Sequence, residues 1–231
     1  MLQTFKAWIG CGNSIYEKFA RQMVAGVMDG MKPDPFVIER KGGYLLFRRP
    51  NPEVAAKVAE FGEMVKQITP SVLVYPENVL HSTFTDYQVW PNFIPSEALD
   101  HGHVLEQLDT IVKIFPRVHA STVVYKRALF GLNAFVLEGE SDELFYLCAC
   151  AMHGIGQGLG MNLRMPWGAH LTFGRTSGEV SPAHVAELAE LCSSVYPLIS
   201  GPQHFVSLEA GWYTMDPEKG FVAHITSKVE F

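Results

Sequence analysis

Apolar residues along the chain follow two rhythms. Where they recur every three or four positions they predict helices, and where they alternate they predict strands. Residues 13–33 (NSIYEKFARQMVAGVMDGMKP) read as an amphipathic helix, capped by Asn13 or Ser14 and ended at Gly30 and Pro33. Residues 42–50 (GGYLLFRRP) read as a short strand, and residues 51–68 as a helix with Pro52 in its first turn. A strand over 80–89, a helix over 95–115 and a strand over 117–126 follow. The same order then returns, with a strand over 132–140, a helix over 142–157, a strand over 168–175 and a helix over 181–195 opened by Ser181 and Pro182. Residues 203–215 and 219–231 read as a closing hairpin around DPEKG.

The second run keeps register with the first. Leu45 and Phe135 are 90 residues apart, and His81 and His170 are 89 apart. Ser96 and Ser181, like His119 and His204, are 85 apart. So long a period does not describe a solenoid. It predicts an internal duplication, giving an α+β, bilobal fold: two antiparallel-rich sheets with helices on the outside, related by a rough pseudo-twofold. Residues 1–40 precede the first unit and read as an N-terminal helical extension to a bilobal domain over 41–231.

Each unit carries one histidine followed two positions later by threonine: His81 with Thr83 in VLHSTFTDY, and His170 with Thr172 in WGAHLTFGR. Residues i and i+2 of a strand share a face. His170 and Thr172 therefore look out of their lobe, while Ala169, Leu171 and Phe173 look in. Two such lobes facing each other would bring two imidazoles and two hydroxyls to one cleft. Near neutral pH one imidazole can accept a proton while the other donates one. Hydroxyls and a charged imidazole can hold phosphate oxygens. No metal or other cofactor is required. A third HxT, at His224 and Thr226, has no histidine at its counterpart in the first unit, and His119 with Ser121 is not repeated at His204; both read as strand residues.

Composition narrows the partners. The chain has 231 residues, 48% of them apolar and 18% charged, which suits one large domain or two small lobes. Its net charge of −6 argues against a protein that grips extended duplex nucleic acid and favours a small or terminal substrate in a locally positive cleft. Cys11, Cys148, Cys150 and Cys192 form no CxxC pair and read as reduced thiols of a cytoplasmic protein. The first residues are too polar for a signal peptide, and no stretch is long enough to span a bilayer. No membrane partner is expected, and a monomer is expected.

The two motifs, and HLTFGR most closely, resemble those of the two-histidine (2H) phosphoesterases, which include RNA ligase-like 2′,3′-cyclic phosphodiesterases and 2′–5′ phosphodiesterases. The resemblance covers about residues 41–231. It implies a metal-independent phosphodiesterase acting on a 2′,3′-cyclic phosphate or a 2′–5′ phosphodiester of a nucleotide or RNA end. His81 and His170 would be the acid and base, Thr83 and Thr172 would bind phosphate, and Arg175 would help hold substrate. HSTFTDY departs from the family by lacking its aliphatic run after the first motif. Strict alternation also turns Arg175 away from His170, so it reaches the cleft only if the strand ends or twists, which Gly174 would permit. The alternative is a nucleotide- or RNA-end-binding module with the same fold and little turnover.

Other features read as bland. HGIGQGLGMN follows a helix and lacks the Lys-Ser/Thr of a phosphate loop, so it reads as a helix end and connection. His101 and His103 point apart on a helix, have no third ligand nearby, and read as a solvated face. Trp90 and Trp167 flank the motifs. Either could stack on a base, Trp167 being the candidate for substrate binding, although core packing serves both.

Overall fold

The computed structural model describes residues 4–90, 100–114, 121–195 and 198–231, with residues 88–90 described by their backbone alone. Helix α1 (Phe5–Asp29) begins well before the expected Asn13 or Ser14, because Thr4 caps it and accepts from the Ala7 N–H at 3.3 Å. Ser14 lies inside the helix, its hydroxyl donating to the Gly10 carbonyl at 2.9 Å. The early start buries Trp8, Gly12 and Tyr16, four residues apart on one face. Gly12 is part of that fit, since a Cβ there would sit 3.0 Å from the Trp167 carbonyl oxygen. Gly30, at φ 74°, ends the helix as expected.

A one-turn helix, α2 (Pro35–Ile38), follows with Asp34 as its cap. Helices α3 (Pro52–Ile68), α4 (His101–Ile114), α5 (Glu143–Gly158) and α6 (Pro182–Ser194) lie within a few residues of their expected positions. Asn51, Asp142 and Ser181 cap α3, α5 and α6. Ser96, His119 and the expected ends of elements near 91–99 and 115–120 fall outside the described residues.

Eight strands are described: β1 (Gly42–Pro50), β2 (Val72–Val74), β3 (Ser82–Trp90), β4 (Thr122–Phe130), β5 (Ala134–Ser141), β6 (Leu171–Thr176), β7 (Pro202–Asp216) and β8 (Gly220–Glu230). Their order is β2-β6-β5-β4-β7-β1-β3, with β8 paired to β7, and every pairing is antiparallel. The mixed α+β architecture is the one expected, but the two sheets are joined. Strand β7 is 15 residues long, enough for its first residues to pair with β4 and the rest with β1 and β8. The last strand of each half also crosses over. β4 pairs with β5 of the second half, and β7 pairs with β1 of the first, so the triplets run β3-β1-β7 and β6-β5-β4. Strand β2, too short to show alternation in the sequence, pairs with β6 rather than with its own half.

Both motif strands are bulged at the same place. In β6, Thr172 pairs with Val136 and Gly174 with Phe135, which leaves Phe173 as an extra residue. In β3, Thr83 pairs with Phe47 and Thr85 with Leu46, which leaves Phe84 extra. Phe173 and Gly174 are both buried, as are Phe84 and Thr85. The alternation therefore resets, and the fifth residue after each histidine returns to the histidine's face. That residue is Arg175 in β6 and Asp86 in β3.

Beyond the β5–β6 ladder, the Tyr16 hydroxyl of α1 takes over the free edge of β5, accepting from the Gly139 N–H and donating to the Gly139 carbonyl, both at 3.1 Å. A Cβ on Gly139 would land on the Ala169 carbonyl oxygen. Gly139→Ala is therefore expected to lower the unfolding free energy in urea by at least about 2 kcal/mol. Gly154→Ala, on an open face of α5 with nothing near the new Cβ, should leave stability unchanged or raise it by up to about 1 kcal/mol.

Candidate active site

His81 and His170 sit one residue ahead of β3 and β6, and the bulged strands turn both toward one cleft of about 180 Å³. Thr83, Thr172, Arg175 and Trp167 line the same cleft. The structure thus brings together all six residues singled out in the sequence. The inward set is buried as alternation requires: Leu80, Ser82 and Phe84 behind His81, and Ala169, Leu171 and Phe173 behind His170.

The two imidazoles are held alike. Nδ1 of His81 lies 2.8 Å from the Val79 carbonyl oxygen, and Nδ1 of His170 lies 3.3 Å from the Gly168 carbonyl oxygen. A carbonyl can only accept, so each Nδ1 carries the hydrogen and each Nε2 keeps its lone pair. Among the described residues, neither Nε2 and neither threonine hydroxyl of the motifs bonds to another protein group. Phe47 and Phe221 flank the His81 ring, at 5.0 and 4.7 Å between centroids. His170 lies face to face on Trp167, at 3.8 Å and 14°. Trp167 in turn is backed by Phe19 and Tyr16 of α1. The indole thus braces the histidine, and that ring face is not open to a base.

Burial pushes the His81 imidazole down to about 4 and the His170 imidazole down to about 3. The hydrogen bonds to Val79 and Gly168 oppose the shift. Arg49 and Arg175 add to it at His81, and His81 and Arg175 add to it at His170. Both groups are neutral in the free protein at pH 7.

Arg175 reaches the cleft because of the bulge, and a buried carboxylate fixes it there. Its Nη1 donates to Oδ2 of Asp34, and its Nε donates to the Tyr75 hydroxyl at 3.0 Å. The guanidinium also lies over Phe36, 4.6 Å from the ring centre. Burial alone would depress the guanidinium, but Tyr75 and Asp34 outweigh it and hold it above its ordinary value. Asp34 is fully occupied, since its Oδ1 accepts from the Phe36 N–H at 2.8 Å and from Asn133 at 3.3 Å. The sequence reading missed Asp34, Phe36, Tyr75 and Asp86. The available signals were the Asp-Pro cap at residues 34–35 and the shared +5 position of Asp86 and Arg175.

Other candidates stay outside. His224 stacks on Trp212 at 3.5 Å and is not part of the cleft. HGIGQGLGMN is the end of α5 and its connection, as expected. His103 is exposed, but His101 is not a solvated residue. Its Nδ1 bonds the Tyr44 hydroxyl at 2.8 Å, and its ring packs on Trp212. Tyr44 is buried in the core and draws the start of α4 onto the sheet. The side chain of Trp90 lies outside the described residues. Among the described residues, no group of three or more His, Cys, Asp or Glu could hold a metal ion, and no helix is long and apolar enough to cross a membrane.

No family model and no curated protein matches the chain by sequence. Solved structures do match in fold. TT0787 of Thermus thermophilus superposes with a TM-score of 0.52 at 14% identity, covering 81% of this chain and 97% of its own. Escherichia coli LigT, solved with 3′-AMP, superposes with a TM-score of 0.50 at 11% identity, covering 83% of this chain and 98% of its own. At such identities the likeness establishes the fold. The chain has the LigT-like α+β fold that the paired HxT motifs led us to expect.

The sign of the histidine shifts sets a test. Folded values below the unfolded value of about 6.5 mean that the unfolded chain takes up protons first, so these groups weaken the fold as pH falls from about 6.5 toward 4. The unfolding free energy should decline across that window, and a His81→Gln/His170→Gln variant should show a shallower decline in denaturant titrations.

Proposed function

We propose that this protein is a metal-independent phosphodiesterase acting on a 2′,3′-cyclic phosphate or a 2′–5′ phosphodiester of a nucleotide or RNA end. The observation that carries the reading is the pair of bare Nε2 atoms facing one cleft beside two unclaimed threonine hydroxyls and a fixed arginine. LigT, which has this fold, was solved with 3′-AMP, in keeping with a nucleotide-sized occupant. We also take residues 1–40 as an extension that braces a bilobal domain over 41–231.

In this scheme Arg175, Thr83 and Thr172 hold the non-bridging phosphate oxygens. The water oxygen attacks phosphorus and its proton passes to the neutral Nε2 of one histidine. The bond from phosphorus to the leaving ribose oxygen breaks, and that oxygen takes a proton from the Nε2 of the other histidine. The second histidine must therefore be charged before reaction, although burial keeps it neutral in the free site. The bound phosphate anion supplies the missing counter-charge and raises its proton affinity. Arg175 stays charged throughout and offsets the charge on the pentacoordinate phosphorus.

Turnover of 2′,3′-cyclic nucleotides and of 2′–5′ and 3′–5′ dinucleotides in EDTA tests the reading. Activity on a 2′-linked substrate is expected to persist with chelator and to fall by about 10²–10⁴ in His81→Ala and in His170→Ala, with folding checked by circular dichroism. Loss of activity in EDTA, or folded variants as active as the wild type, would sink it. Binding of 3′-AMP with no turnover would instead favour a binding module.

The pH profiles should separate free site from complex. Because kcat/KM reports the free site, it should fall about tenfold per pH unit above about 4, whereas kcat should hold to higher pH. Overlapping profiles would mean that the bound phosphate does not recharge the acid.

A further inference from the structure

Arg175 and Asp86 occupy the same place in their strands, five residues after the motif histidine and just past the bulge. Both line the cleft. One is a cation suited to phosphate, and the other is a carboxylate that repels it. An acidic group in a phosphate cleft calls for a function of its own.

A structural role for Asp86 is already filled by other atoms. The backbone joins this segment to residue 164, with the Arg164 N–H donating to the Asp86 carbonyl at 3.0 Å and the Thr85 hydroxyl donating to the Arg164 carbonyl. The Asp86 side chain contributes little to that joint. Among the described residues its one ion pair is with Arg164, at 3.7 Å, and the Arg164 side chain is 66% exposed. Burial raises the carboxyl's pKa against the pull of Arg164 and of a hydrogen bond from its own backbone N–H, so its desolvation is only partly compensated.

The wall of the cleft beside Asp86 is apolar. Leu45 of β1 is the direct cross-strand partner of Asp86 and lines the cleft, as do Tyr213 and Met215 of β7. Asp86 follows His81 by five residues, and with the bulge absorbing one of them the two backbone positions lie about four strand rises, roughly 13 Å, apart. Once both side chains reach inward, that leaves about the span of one nucleoside between the reacting phosphate and the carboxylate.

Resting on the proposed phosphodiesterase reading, we infer that Asp86 is a specificity-determining residue that selects guanine as the base of the reacting nucleotide. A carboxylate offers two acceptor oxygens side by side and takes paired donors in bidentate fashion. Guanine presents two neighbouring donors, N1–H and the N2 amino group. Adenine and cytosine set one amino donor beside a ring-nitrogen acceptor, and uracil sets its N3–H between two carbonyls. Each places an acceptor against the carboxylate. The same carboxylate excludes substrates that carry a further phosphate at the base end of the cleft.

The test compares 2′,3′-cyclic phosphates of guanosine, inosine, adenosine, cytidine and uridine, inosine differing from guanosine only by the absent N2 amino group. Wild-type kcat/KM should favour guanosine over inosine by about tenfold or more. In Asp86→Asn the guanosine-to-inosine ratio should drop to within about twofold, and in Arg164→Ala it should hold or rise. Turnover without a guanosine preference, or a ratio that survives in Asp86→Asn, overturns the inference and leaves the phosphodiesterase reading standing. A ratio that also collapses in Arg164→Ala assigns the effect to the Arg164 side chain rather than to the carboxylate itself and overturns it too. If no substrate turns over, the phosphodiesterase reading has failed instead, and the affinity ratio of 3′-GMP to 3′-IMP, measured by calorimetry on wild type and Asp86→Asn, decides the role of Asp86.

Discussion

Two histidines 89 residues apart in the chain can share a cleft only if the halves that carry them are tied together. Backbone pairing through β7 makes that tie. Its first residues bond to β4 and the remainder to β1 and β8. Strands β4 and β7 each complete the triplet of the other half, and β2 adds a further first-half strand beside β6. The helices cover this sheet, and the pairing sets where the motifs lie. Because neither triplet exists until the last strand of the other half has arrived, the site is a product of the whole fold. Such long-range pairings make for slow folding.

Burial dominates the electrostatics of the cleft, and neighbouring charges then sort the groups. The imidazoles lose their protons because the one carbonyl that each bonds does not repay the desolvation of a cation. Arg175 is buried with them yet keeps its charge, since Asp34 and Tyr75 repay it. A single fixed cation beside two neutral bases attracts an anion, and the anion then changes the proton affinity of its hosts. Asp34 belongs to the segment that precedes β1, and Phe19 and Tyr16 behind Trp167 belong to α1. The N-terminal segment therefore touches the site directly at Arg175 and backs His170 through Trp167.

Much of this was legible in the sequence where one local rule sufficed. The period-two burial of Ala169, Leu171 and Phe173 placed His170 and Thr172 on the open face, and caps such as Ser181 placed their helices. What escaped depended on partners distant in sequence. Thr4 caps the first turn of α1, but what ties that turn to the rest of the protein is Trp8, whose indole N–H donates to the Pro166 carbonyl at 2.6 Å, a contact no local pattern announces. The joining of the sheets depends on where β7 changes partners. Asp34 went unnoticed because its partner, Arg175, is 141 positions away. Gly174 hinted at the twist that turns Arg175 inward, whereas Asp86 was marked only by sharing the +5 spacing of Arg175.

The bulges also say how such a cleft can change. They sit between a fixed part, histidine and threonine, and a position whose side chain faces the cleft. Chain length at the bulge, rather than the identity of the residue beyond it, decides whether that position looks inward. Loss of the one extra residue in either strand would turn the next side chain into the lobe and silence it. With the bulge retained, the position faces the cleft whatever its chemistry, although at Arg175 the buried Asp34 demands a cation. In this protein the two equivalent positions carry opposite charges on one shared backbone geometry.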